Sequence, residues 1–249
     1  MSGLNGRSDS RSILEIAGLS KSFGSVRAAD NIVLAVREGE ALGIIGPNGA
    51  GKSSLFNLIT GDLAPDAGEI RLNGRDITRA SPHRRCRLGI ARSYQIPHPF
   101  ENLTVFENLL VGAAFGREKR ESEAGDLCAE ILERANLLHR ANVLAGSLTL
   151  LERKRLELAR ALATGPEILL LDEIAGGLTE GEISELVATI REINAAGTTI
   201  VWIEHVVVAL LAVVTRLVVL NFGRKIAEGD PQTVMHSQEV REIYTGIEA

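Results

Sequence analysis

The chain has 249 residues, of which 45% are apolar and 24% charged, with a formal net charge of −5. That length suits one large α/β domain or two small lobes. The mildly acidic balance excludes a nucleic-acid binder that works by bulk positive charge. Two isolated cysteines, Cys86 and Cys128, form neither a metal-binding spacing nor a disulfide framework, and they fit a reducing compartment.

In chain order, "MSGLNGRSDSRS" is polar and lacks the apolar stretch of a signal peptide, so residues 1–12 read as a flexible tail. "ILEIAGLSKSFG" and "NIVLAVREGE" alternate like strands, and Asn73-Gly74 between two further runs is a hairpin signal, because that pair accepts positive φ. The first third therefore reads as an antiparallel sheet surrounding one central strand, Ala41–Ile45.

"GIIGPNGAGKSS" follows that strand and matches G-x-x-x-x-G-K-[ST] through Gly46, Gly51, Lys52 and Ser53. Glycines let main-chain N–H groups wrap a phosphate, and the helix that follows, "KSSLFNLIT", adds the positive end of its dipole. Gly46, Pro47, Asn48, Gly49, Ala50, Gly51, Lys52, Ser53 and Ser54 are thus the candidate nucleotide contacts. In this motif Lys52 reaches the β- and γ-phosphates and the Ser53 hydroxyl holds Mg²⁺.

From about Ile96 to Ala145 the pattern is helical. Thr104 and Glu107 form a capping box, and Leu127, Ile131, Leu132, Ala135 and Leu138 form an apolar stripe. Beyond Pro166, apolar strands alternate with a helix, the pattern of a parallel sheet covered on both faces. "ILLLDE" ends on Asp172, placed to hold Mg²⁺, and on Glu173, placed to orient or deprotonate a water. Val206–Leu220 is the most apolar stretch, but it is shorter than the ~20 residues a membrane span needs and includes Thr215 and Arg216. It reads as a buried helix followed by a buried strand.

These motifs, together with "ARSYQ", "ENLTVFENLLVG", "GGLT", "IEH" and "AEGDPQTV … VREIYTG", run from about Ile13 to Gly246. The chain resembles the nucleotide-binding subunit of an ATP-binding cassette (ABC) transporter, and within that family the ATPases of branched-chain amino acid (Liv-type) importers. The resemblance implies an α/β P-loop NTPase of ABC type: a mixed, mainly parallel core, an N-terminal antiparallel β subdomain and an inserted helical subdomain. Residues 13–95 and 164–249 correspond to the core with the β lobe, and 96–163 to the helical subdomain.

The same resemblance implies individual roles. Phe23 falls where an aromatic ring stacks on adenine, the plain alternative being a core Phe on a strand. Gln95 falls at the Q-loop, which contacts Mg²⁺ or the attacking water. His205 falls at the switch histidine, and Gly176–Thr179 at the D-loop that crosses to a second subunit. Thr179 stands where an acidic or Asn residue is usual, and Ile174 where Pro is usual. In this family each ATP lies between one subunit's P-loop and the other's signature, usually LSGGQ. Here the signature positions hold Leu148, Thr149, Leu150, Leu151 and Glu152. Thr149 and Glu152 make a capping box at a helix start that still offers N–H groups to an anion. The glycines are gone, Leu151 is expected to put a branched side chain near the phosphate, and Glu152 adds negative charge unless it folds back onto the cap.

The implied cofactors are ATP and Mg²⁺. The implied partners are a second ABC ATPase subunit in a heterodimer, two transmembrane permease subunits and, indirectly, a solute-binding protein, with no nucleic acid. The implied location is the cytoplasmic face of the inner membrane. Two alternatives remain open: a poorly hydrolysing ATP-dependent scaffold, and a soluble ABC protein acting on nucleic acid or the ribosome.

Overall fold

The computed structural model describes residues 11–116 and 121–245. The elements run β1 (Ser12–Phe23), β2 (Val26–Arg37), β3 (Ala41–Ile45), α1 (Lys52–Thr60), β4 (Ala67–Leu72), β5 (Arg75–Asp76), α2 (Pro82–Arg87), β6 (Ile90–Ser93), α3 (Val105–Gly116), α4 (Glu121–Arg134), α5 (Leu150–Ala163) and β7 (Ile168–Asp172). They continue with α6 (Glu180–Ala195), β8 (Thr199–Ile203), α7 (Val207–Leu211), β9 (Arg216–Asn221), β10 (Arg224–Gly229), α8 (Pro231–His236) and α9 (Gln238–Thr245). The expected tail falls mostly outside the described residues, and Ser12 is already paired with Arg37 in the first sheet.

Two sheets form the frame. A four-stranded antiparallel sheet has the order β2-β1-β4-β5, and a six-stranded sheet has the order β10-β9-β3-β8-β7-β6. The second is parallel from β9 to β6, with β10 antiparallel at its edge. Ala41–Ile45 therefore does not sit inside the antiparallel sheet, as its flanking strands suggested. All five of its residues are buried, and a strand without a wet face needs a sheet covered on both sides. The six-stranded sheet provides that. Leu42, Ile44, Leu170, Val201 and Val218 face α1 and the antiparallel sheet, while Ala41, Ile45, Leu169, Trp202 and Val219 face the helices on the other side.

Local signals behave as their chemistry dictates. Asn73 and Gly74 turn the β4–β5 hairpin at φ 51° and 76°. Gly61 ends α1 in the left-handed region, its N–H on Asn57 O. Thr104 and Glu107 exchange bonds at the start of α3, Thr104 N to Glu107 Oε2 at 2.7 Å and Glu107 N to Thr104 Oγ1 at 3.1 Å. The α4 stripe differs at one position. The helix ends at Arg134, Asn136 turns at φ 53°, and Leu137 instead of Leu138 enters the core. The stretch from Val206 differs too: α7 is only five residues long, buries Ala209 and Leu210, and leaves Val208 82% exposed. No helix among the described residues is long and apolar enough to cross a membrane.

Candidate active site

The loop between β3 and α1 closes on a buried lysine. Lys52 Nζ donates to Gly46 O at 2.7 Å and to Pro47 O at 3.0 Å. Burial pulls its ammonium below the usual lysine range, and the carboxylates of Glu173 and then Asp172 act the other way. Gly51, at φ 101°, is the N-cap of α1. A Cβ there would lie 2.3 Å from Ala28 O, so only glycine fits. Gly223 N bonds Ala50 O at 2.9 Å, which braces the loop from the β9–β10 turn.

Phe23, 53% exposed, is not a core residue. With Ala28, Asn48 to Ser54 and Glu173 it lines a cleft of about 310 Å³. Its exposed ring suits a flat aromatic ligand.

The end of β7 supplies the carboxylates. Asp172 is buried and accepts from Arg92 Nη2 at 2.5 Å. Glu173, at φ 48°, turns the chain out of the strand; a bulky residue in that region is held there by its surroundings. Its Oε2 accepts from Gln95 Nε2 at 2.7 Å, and its Oε1 lies 2.8 Å from His205 Nε2. The ends of β6, β7 and β8 thus bring Gln95, Glu173 and His205 together. Asp172 and the Ser53 hydroxyl are oxygen donors, the set a hard dication prefers. Among the described residues no cluster of three or more His, Cys, Asp or Glu forms a metal site.

Arg92 was not singled out by sequence reasoning. It lies on β6, bonds Asn57 Oδ1 at 2.6 Å as well as Asp172, and stacks 4.8 Å from the Tyr94 ring. Its place in the short run "IARS" is the one sequence signal, since its partner Asp172 lies 80 residues on.

Thr149, Leu150 and Leu151 do not line the cleft that Lys52 and Glu173 share. They open α5. Thr149 N donates to Glu152 Oε2 at 2.9 Å, and Glu152 N to Thr149 Oγ1 at 3.4 Å. Glu152 folds back onto the cap and pairs with Arg140 Nε at 2.7 Å, so its charge is already compensated. The leucines divide differently from expectation. Leu151 is 8% exposed, packed inward, while Leu150 is 45% exposed and reaches toward Gly177. On an amphipathic helix start, adjacent residues point about 100° apart, and here the inner side falls to Leu151. Thr179 caps α6, its Oγ1 accepting from Glu182 N at 3.4 Å, and Ile174 is buried.

A phosphate loop after β3 and a carboxylate-tipped strand, β7, one strand away across β8, place the chain among the P-loop nucleoside-triphosphatases. The family model described as ABC transporter matches residues 29–176, and the chain belongs to that family, whose ATP-binding cassettes are ATPases that power transport. It is 37% identical to the high-affinity branched-chain amino acid transport ATP-binding protein BraF of Pseudomonas aeruginosa, over 95% of this chain and 99% of that one. It is 38% identical to the corresponding LivG protein of Salmonella typhimurium, with the same coverage. Its fold is similar to a nucleotide-free ATP-binding cassette from an ABC transporter, with TM-score 0.86, 33% identity, and 96% and 100% of the two chains covered. It is also similar to a cassette in its ADP conformation, with TM-score 0.87, 34% identity, and 95% and 100% covered.

Proposed function

We propose that this chain hydrolyses ATP to drive an importer of branched-chain amino acids or a related small amide or amino acid. The observation that carries the reading is Glu173, held between Gln95 and His205 beside the Lys52 loop. The relatives' names supply the solute class.

The chemistry follows from the residues. Main-chain N–H groups of residues 48–54 receive the phosphates. The Lys52 ammonium exchanges its two carbonyl partners for phosphate oxygens, and the Phe23 ring stacks on adenine. Ser53 and Asp172, with Gln95, would hold Mg²⁺, which would supply charge neutralisation to the phosphates. Glu173 accepts a proton from the attacking water as its oxygen bonds to the γ-phosphorus and the β–γ bridging bond breaks. Gln95 orients that water, and His205 donates to a γ-phosphate oxygen.

Residues 13–95 and 164–249 serve as the catalytic core with its β lobe, and 96–163 as the helical lobe. A cleft of about 360 Å³ beside Gln95, with Arg92, Tyr94, Glu157 and Arg160 in its wall, is assigned to contact with one of two permease subunits. Through them the chain sits on the cytoplasmic face of the inner membrane, with a solute-binding protein acting upstream. The second ATPase subunit is a different chain carrying a glycine-containing signature, because Leu150 stands where close phosphate approach is needed. That same residue favours one other reading, an ATP-binding scaffold that hydrolyses poorly.

Purifying the chain from its native membrane, identifying the co-purifying proteins by mass, and measuring turnover with and without them tests this. Permease chains, a second ATPase chain and turnover that rises with them are expected. The absence of permeases would overturn the transport reading, and a bound complex without turnover would favour the scaffold.

A further inference from the structure

Glu204 lies between β8 and His205 and is only 2% exposed. A buried carboxylate requires compensating partners. Here they are main-chain N–H groups on two separate segments. Ala175 N donates to Oε2 at 3.0 Å, while His205 N and Val206 N donate to Oε1 at 2.9 and 3.2 Å. Ala175 is two residues beyond Glu173, so one side chain ties the turn after β7 to the turn after β8.

The tie comes where the strand ladder stops. The last β7–β8 pair is Asp172 with Ile203, and Glu173 N makes one further bond, to Ile203 O at 2.8 Å. Beyond it the two chains leave the sheet, Glu173 at positive φ. Val206 at the start of α7 offers no side-chain cap, and Glu204 Oε1 satisfies the amides there instead. A cation shares this neighbourhood. Burial pulls the Lys154 ammonium of α5 below the usual lysine range, and the carboxylates of Glu204 and then Glu173 oppose it.

We propose that Glu204 is a positioning residue for hydrolysis: its carboxylate fastens the Ala175 main chain to the His205 main chain and so sets the Glu173–His205 contact of 2.8 Å. The inference rests on the assignment of Glu173 and His205 to γ-phosphate chemistry made above. Two oxygens with no hydrogen are required, because both sides of the tie present donors. Glutamine has the same shape but one acceptor. Its NH₂ would face an N–H on one side, so one half of the tie must open. Aspartate keeps both acceptors on a stem about 1.5 Å shorter.

Glu204→Gln, Glu204→Asp and, in parallel, Glu173→Gln are measured in the complex formed by the full chain. The readouts are kcat, the ATP dissociation constant by equilibrium titration and, on the isolated chain, thermal unfolding followed by Trp202 fluorescence. Glu204→Gln is expected to bind ATP within about twofold of wild type and to lose about tenfold or more in kcat, because small misplacements of reacting groups cost rate and not ground-state binding. Glu204→Asp is expected to lose less. A Glu204→Gln complex with wild-type kcat would overturn the inference, as would a kcat loss matched by an equal loss of ATP affinity. If Glu204→Gln does not fold, Glu204→Asp decides by the same split. Normal turnover in Glu173→Gln would overturn the catalytic reading and the Glu204 inference with it. Slow turnover there beside normal turnover in Glu204→Gln would overturn the inference alone.

Discussion

Gly51→Ala probes the phosphate loop through its main chain. Two costs apply. At φ 101° an L-residue sits in or beyond the left-handed region, which costs about 1–2 kcal/mol. The new methyl would also start 2.3 Å from Ala28 O, where real Cβ atoms keep at least 3.0 Å. The Ala28 carbonyl or the start of α1 must yield, and such overpacking costs about 1–3 kcal/mol. The sum is about 2–5 kcal/mol, or about 4–20 °C in Tm for a domain of this size. Gly49→Ala is the control. Its φ is +80° and a Cβ there meets nothing within 4 Å, so it loses only the about 1–2 kcal/mol of conformational cost. Trp202 is the chain's sole tryptophan and is fully buried, so its fluorescence reports unfolding of the core beneath the site. The added methyl also displaces the amides that face the phosphates, so ATP affinity should fall by about tenfold. A Gly51→Ala protein that melts with or above Gly49→Ala would refute the packing argument.

Lys52→Ala should remove most ATP affinity in an equilibrium titration, because it deletes the one buried cation among the nine P-loop residues while leaving the loop glycines in place; unchanged affinity would remove Lys52 from the site. Leu150→Gly should cost under about 1 kcal/mol, whereas Leu151→Gly should cost about 3 kcal/mol or more, since only the second side chain is buried. If the leucines impair the facing phosphate site, the double variant should turn over faster than the chain alone, and an unchanged rate would show that the capped helix start suffices. Burial raises the Glu157 carboxyl above its ordinary 4.5, against Arg160. The folded state therefore binds that proton more tightly than the unfolded state, so its charge costs stability at neutral pH, a cost that fades as pH falls through the folded value toward 4.5. Glu157→Gln should raise Tm at neutral pH, with the gap closing in acid, and a gap that widens in acid would reverse the sign.

What was legible in the sequence was local. The phosphate loop, the Asn73-Gly74 turn, the Thr104 and Thr149 caps and the Asp172-Glu173 strand tip each depend on a few adjacent residues, and the turn and both caps form as expected. What was not legible depends on partners far along the chain. Ala41–Ile45 has antiparallel neighbours in sequence, yet it pairs with β8 and β9, more than 150 residues away. Arg92 gains meaning only once β6 lies beside β7, and Glu204 only once the Ala175 turn closes over it. Leu151 was the side chain expected near the phosphate, but the helix rotation puts it inside and Leu150 outside.

The central claim is that Glu173, between Gln95 and His205, takes the proton of the attacking water. Single-turnover hydrolysis by the Glu173→Gln chain in its complex, beside an ATP titration of the same sample, tests it most directly. The account predicts ATP binding close to wild type, hydrolysis slower by about a hundredfold or more, and an ATP-bound dimer that accumulates on size exclusion. Hydrolysis near the wild-type rate with ATP bound would contradict it.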